Sequence, residues 1–244
     1  GGQDAEAPSL DVILSKNPQV AKLDQEIAQI EAKLLRAAPL GLAQLGHPPD
    51  LARFLLHNSL LKAEGVAVDT IRAADYAFRF LSDRELRFVS RQVAAQDGKE
   101  AEGAELRQTA ARVMRDFADS SVEAASAKVL EEFPALAEEG GPLHEALNRS
   151  AFDTELKKLL RVSHYATAAG YSSFTDPKAV EATKALFSAV GIDGKVLSVA
   201  LTALQKRASF LCKSSKDASP SWVAAYAAVQ HLIDKLVDEP EQQS

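Results

Sequence analysis

Residues 74–86 read Ala74-Asp75-Tyr76-Ala77-Phe78-Arg79-Phe80-Leu81-Ser82-Asp83-Arg84-Glu85-Leu86. Ser82 and Glu85 stand at the spacing of a capping box. The serine hydroxyl accepts a hydrogen bond from the backbone N–H three residues on, and the glutamate reaches back to the serine's own N–H. A helix therefore opens at Ser82. The residues ahead of it carry helical periodicity from about residue 66 to residue 80, so two helices meet here in a hairpin over 66–96.

The same grammar extends downstream. A long helix is expected over 104–133, stopped by Pro134, with Gly140-Gly141-Pro142 just beyond. Another runs over 150–169 and ends at Gly170. Asp176-Pro177 places an N-cap before a proline at the first helical position, where the missing donor costs nothing. That helix ends near Gly191, Asp193 caps the next one to about Cys212, and a final helix is expected over 221–237. Nothing alternates with period two, so the fold class is all-α.

Upstream of the hairpin, Val20, Leu23, Ile27, Ile30 and Leu34 recur at alternating spacings of three and four, the narrow seam of a helix that packs on another helix. Pro39-Leu40-Gly41 and His47-Pro48-Pro49 interrupt it, and Asp50 is placed to cap a second helix over 51–63. Residues 10–63 thus form an N-terminal helical extension and 64–244 the main domain. Residues 1–9, small, polar and proline-containing, are expected to be a disordered lead-in. The chain opens at Gly1-Gly2, which reads as a processed or tag-derived start.

Composition excludes several classes. The 244 residues carry 28 Lys+Arg against 34 Asp+Glu, a net charge of −6, and no basic run suits a nucleic-acid backbone. One cysteine, Cys212, rules out a disulfide framework and a thiolate zinc site. The longest unbroken apolar stretch, Trp222 to Val229, is far short of the roughly 20 residues of a membrane helix.

Motifs that carry chemistry are missing. There is no glycine-rich phosphate loop, no His pair spaced for zinc and no nucleophile elbow. His47, His57, His144, His164 and His231 are scattered, and no metal site is expected. The carboxylate clusters read as solvated helix faces, and Cys212 as a small buried hydrophobe. The chain does not read as an enzyme.

The stretch from Ala74 to Ser82, followed by Glu85-Leu86, resembles the phycobiliproteins, which carry an Ala-Asp, a short spacer and a Phe-Leu-Ser that opens the next helix. Leu160-Arg161-Val162-Ser163-His164-Tyr165-Ala166 through Ala169-Gly170 is similar to the family's Leu-Arg-x-x-x-Tyr…Ala-Gly helix end. Ala189-Val190-Gly191 resembles its turn before the penultimate helix, and residues 112–136 its long helix ending in x-Pro-x-Leu. The resemblance spans residues 66–237 and implies a globin-like, phycobiliprotein-like helical domain preceded by a helical pairing hairpin.

Two departures separate this chain from that pattern. The resemblance implies bilin attachment through a cysteine at the position of Phe152 and, in some subunits, a second at the position of Trp222. Where the family has an Arg-Asp pair, Thr154 and Glu155 stand here. No covalent pigment is therefore expected, and Phe152, Thr154, Glu155 and Trp222 read as a degenerate bilin pocket. Glu155 retains a carboxylate, which is read as a solvated helical glutamate or as a partner for a non-covalent bilin. Phe152, a large apolar side chain, favours the first.

Asp75, Arg161 and Tyr165 keep the family's identities. The resemblance implies that the aspartate of one subunit meets the arginine and tyrosine of its partner. With Tyr76, Phe78 and Phe80, and with Leu81, Leu86, Phe88 and Val89 on the same hairpin, they are expected to form a partner-binding surface. The function expected is that of a non-pigmented, structural, docking or assembly subunit of a photosynthetic light-harvesting or photosystem complex. Its partner would be another phycobiliprotein-like chain or another subunit of that complex. The alternative is a pigment or sensor protein holding bilin, or haem on His164, non-covalently. The resemblance implies a thylakoid-associated location, in a plastid if Gly1 is a processed terminus and otherwise in cyanobacterial cytoplasm.

Overall fold

The computed structural model describes residues 66–96, 101–170, 174–175, 177–214 and 222–237. The helices expected within residues 10–63, with their Val20–Leu34 seam, lie outside these residues. The described residues form helices, turns and loops, with no strand among them: α1 (Val66–Tyr76), α2 (Asp83–Gln96), α3 (Ala101–Asp116), α4 (Ala118–Glu132), a 3₁₀ turn (Pro134–Leu136), α5 (Ala146–Ala169), α6 (Pro177–Ala189), α7 (Gly194–Ser214) and α8 (Trp222–Leu236). No single helix among them is long and apolar enough to cross a membrane.

The capping box forms as its spacing predicts. Ser82 N–H donates to Glu85 Oε2 at 2.8 Å, and Glu85 N–H reaches Ser82 Oγ at 3.4 Å. At the far end of the domain Asp193 Oδ1 accepts from Val196 N–H at 2.9 Å, which caps α7. Gly170 closes α5 at φ +72, a left-handed position that only glycine enters without cost.

Three boundaries differ from the sequence expectation. The helix expected over 104–133 is two helices that meet at Phe117 (φ −112, ψ 18). At this corner the Phe117 carbonyl accepts from the Ser121 N–H at 3.0 Å and from both the Ser120 and Ser121 hydroxyls, at 3.2 and 2.7 Å. Helix α5 begins at Ala146, four residues before the expected start at 150. Helix α1 ends at Tyr76 instead of running to 80, because the chain turns through Phe78 at φ +54, the one positive φ outside glycine among the described residues. Phe78 N–H bonds the Asp75 carbonyl at 2.9 Å and Arg79 N–H the Ala74 carbonyl at 3.0 Å. Those two bonds are a Schellman helix end with phenylalanine where glycine is usual.

Helix α5 runs through the centre. Every residue from Lys158 to Ala169 is buried, so this helix is enclosed on all sides by its neighbours, chiefly α3, α8, α4 and α2. The main apolar core joins Leu81, Leu86 and Val89 from the hairpin to Phe152, Leu156 and Val162 of α5, with Leu197, Leu201 and Leu204 of α7 and Leu232 of α8. A second cluster gathers Val113 and Met114 of α3, Leu160, Cys212 and Val229. Burying a leucine-sized side chain is worth about 1.5–3 kcal/mol, so α2 is fixed to the domain by its own apolar face.

Candidate functional site

An enclosed helix cannot leave a polar side chain without a partner, since an unsatisfied buried group costs about 1–3 kcal/mol and an unpaired charge more. The buried stretch of α5 carries Arg161, Ser163, His164, Tyr165 and Thr167. Ser163 and Thr167 return their hydroxyls to carbonyls four residues back, Leu159 and Ser163. Arg161, His164 and Tyr165 reach the corner over residues 75–83 instead, and together they define the candidate site.

Arg161 Nη2 donates to Asp75 Oδ1 at 2.9 Å, with the side chains only 6% and 1% exposed. The same guanidinium lies 5.8 Å from the Phe78 ring centre. Tyr165 Oη donates to the Arg79 carbonyl at 2.7 Å, and burial pushes the phenol far above its usual pKa. His164 Nε2 accepts from the Leu81 N–H at 3.2 Å, which leaves Nδ1–H to donate to the Ala111 carbonyl at 2.8 Å. Complete burial lowers the imidazole pKa to about 3, so His164 is neutral. The Phe80 ring meets its edge at 5.1 Å.

The outer side of the corner is clamped as well. Arg115 Nη1 donates to the Leu81 carbonyl at 3.0 Å and Nη2 pairs with Asp83 at 2.9 Å. Arg79 makes two 2.7 Å bonds to Glu85, and this guanidinium holds the Glu85 carboxyl down at about 2. Residues 79–83 are thus tied to α3 and α5 at four points: the Arg79 carbonyl, both backbone groups of Leu81 and the Asp83 carboxylate.

Glu155 and Lys158 lie on the same side of α5, about two turns and one turn before Arg161 respectively. They are buried and paired at 2.5 Å. Burial raises the Glu155 pKa, and Lys158 and then Arg161 oppose that rise. Glu155 is therefore not the solvated glutamate expected from its sequence position.

A family model for phycobilisome proteins matches residues 69–239, which is more than two thirds of the chain. The chain belongs to the phycobilisome protein family. No curated protein matches it. Family membership and the helices described above make this a globin-like, phycobiliprotein-like all-α domain in a light-harvesting family without enzymatic activity.

Several site expectations change once the residues are placed. Asp75, Arg161 and Tyr165 come together as the motif implied, but within one chain: Asp75 pairs with its own Arg161, and the tyrosine bonds its own Arg79. All three side chains are buried and hold the corner within the single chain. Leu81, Leu86 and Val89 are fully buried in the core, and Phe80 and Phe88 pack against apolar clusters at half-burial. Phe78 remains at the surface, 45% exposed. The side chain of Tyr76 lies outside the described residues.

Of the four residues read as a degenerate pocket, Phe152 is 1% exposed within the main core, Thr154 is exposed and bonds the Ser150 carbonyl at 2.8 Å, and Trp222 packs on the second cluster under Lys213 Nζ at 3.9 Å. His164, the haem ligand of the alternative reading, has both ring nitrogens engaged by backbone groups. Cys212 is buried and its thiol is pushed up to about 11, consistent with an inert core residue. Among the described residues no three of His, Cys, Asp and Glu are grouped to hold a metal. The clamp by His164 and Arg115 is not legible in the sequence, because each acts on a backbone group whose position only the folded corner sets.

Asp75→Ala leaves Arg161 charged and buried, and it should cost about 3–5 kcal/mol of unfolding free energy. Asp75→Leu combined with Arg161→Met should recover most of that loss. Urea unfolding of the three variants checks this; an Asp75→Ala protein as stable as wild type would mean that the pair is not buried.

His164 supplies a pH dependence with a definite sign. Its pKa falls from 6.5 to about 3 on folding, so below pH 6.5 the unfolded chain binds a proton that the folded chain refuses. Stability from this group is complete above pH 6.5 and declines as pH falls toward 3. The slope is about 1.4 kcal/mol per pH unit once the unfolded histidine is protonated. Denaturant titrations from pH 7 to 5 should show that decline in wild type and a markedly flatter profile in His164→Gln.

Proposed function

We propose that this chain is a non-pigmented phycobiliprotein-like subunit that works by docking to another phycobiliprotein-like chain in a thylakoid-associated light-harvesting complex. The observation that carries the reading is Phe152. At the position where the resemblance calls for an attachment cysteine, an aromatic ring sits at 1% exposure among Leu156, Leu159 and other core residues. A side chain of that volume fills space that a pigment would need. Two further points support it: the Glu155 carboxylate is already spent on Lys158, and the lone thiol is buried and poorly ionised.

The docking part of the reading rests on the corner. Its interior is tied to α3 and α5, and what it offers outward is Phe78, held in a left-handed conformation. A rigidly presented aromatic ring is the kind of anchor that contributes most at protein interfaces, since little conformational freedom is lost on binding. Asp75, Arg161 and Tyr165 serve this surface from beneath, by fixing where Phe78 stands.

Protein isolated from its native source should have the intact mass of its amino-acid chain and no visible absorption. A mass excess equal to a bilin overturns the non-pigmented reading, and visible absorption without such an excess supports a non-covalent tetrapyrrole instead. Phe78→Asn keeps a residue that tolerates left-handed backbone while removing the ring. It should weaken co-sedimentation with phycobiliprotein-like chains from the same source by about tenfold or more. Unchanged association would remove Phe78 from the interface.

A further inference from the structure

Helices α4 and α7 pack side by side, and between them lies a groove of about 470 Å³ that no residue of the clamped corner lines. Its floor is apolar, with Ala124 from α4 and Val199 and Ala203 from α7, and Phe210 stands at its edge, 60% exposed. The two helices differ in charge. Helix α7 carries four cations, Lys195, Lys206, Arg207 and Lys213, and no carboxylate. Helix α4 carries four carboxylates, Asp119, Glu123, Glu131 and Glu132, against one cation, Lys128.

Those charges are unevenly spent within the domain. Lys128 pairs with Glu131 at 3.0 Å and with Glu132 at 3.3 Å, so one ammonium serves two carboxylates. Lys206 and Arg207 line the groove and enter no ion pair with the described residues, and Arg207 Nε is buried without a hydrogen-bond partner. An exposed aromatic beside an apolar floor, with Lys206 and Arg207 on one wall and, at the other, Lys128 paired with Glu132 and the neighbouring Glu131 to leave one carboxylate in excess, is a self-complementary surface.

We propose that the α4–α7 face is a homotypic interface whose occupant is a second copy of this chain. A two-fold axis lying along the groove sets α4 of one copy over α7 of the other, and the contact repeats symmetrically. Glu131 and Glu132 of each copy then meet Lys206 and Arg207 of its partner, while the two Phe210 rings enter the apolar centre. The charges fix orientation and speed encounter, and the buried apolar surface supplies affinity. This face is separate from the Phe78 corner, so the proposal stands whether or not that corner binds a paralogue.

Sedimentation velocity of the full chain tests it through a charge swap. Wild type should form dimers at micromolar concentration and dissociate progressively as salt screens the rim charges. Lys206→Glu/Arg207→Glu and Glu131→Lys/Glu132→Lys proteins, with circular dichroism like wild type, should each self-associate about tenfold or more weakly, because like charges then face each other. An equimolar mixture of the two should recover the dimer, since every repulsive contact becomes attractive. A monomeric wild type, variants that dimerise like wild type, or a mixture that stays monomeric would each overturn the proposal.

Discussion

Arg161 sits in the middle of a helix that is enclosed on every side, and its charge has to be met there. Asp75 meets it at 2.9 Å. The rest of the corner depends on that placement. Once Asp75 is fixed, the Schellman end turns the chain through Phe78, the Arg79 carbonyl arrives at Tyr165, and Leu81 arrives at His164. A buried ion pair of this kind adds little to net stability relative to apolar residues of the same shape, but it makes alternatives expensive. Separating Asp75 from Arg161 strands two charges, so the corner has one low-energy position, and the apolar contacts of Leu81, Leu86 and Val89 then hold it there.

The same constraint bears on how the chain meets others. The residues that look most like interface side chains in the sequence are polar groups that the domain needs for itself. In the proposed docking role the contact falls to Phe78, which the corner displays at the surface, and the position of that ring is inherited from the buried contacts beneath it. In the proposed non-pigmented role, Phe152 fills core volume and the Glu155 carboxylate is paired with Lys158, so the start of α5 serves packing.

Much of the architecture was legible because it is written in local chemistry. Ser82 with Glu85, Gly170, Asp193 and Pro177 each mark a helix end by a mechanism that needs no tertiary information, and the absence of period-two patterning gave the all-α class. The break at Phe117 is not legible in the sequence, because no proline or glycine marks it. The turn at Phe78 was missed for a related reason. Glycine is the usual signal for a left-handed helix end, and here tertiary contacts stabilise a phenylalanine in its place. The site was only half legible: the family pattern linked Asp75, Arg161 and Tyr165, but whether they meet across two chains or within one depends on burial, which spacing does not encode. Glu155 illustrates the same limit, since its partner lies one turn away on a helix whose enclosure is a property of the whole fold.

Native-state hydrogen exchange at the Leu81 amide tests the central claim most directly. That N–H is fully buried and donates to His164 Nε2, so the account predicts that it exchanges only through global unfolding, with the same free energy as the most protected amides of α5. Its protection should be the same whether or not a partner chain is present. Fast exchange in the isolated chain, or protection gained only on adding a partner, would contradict a corner clamped by its own α5.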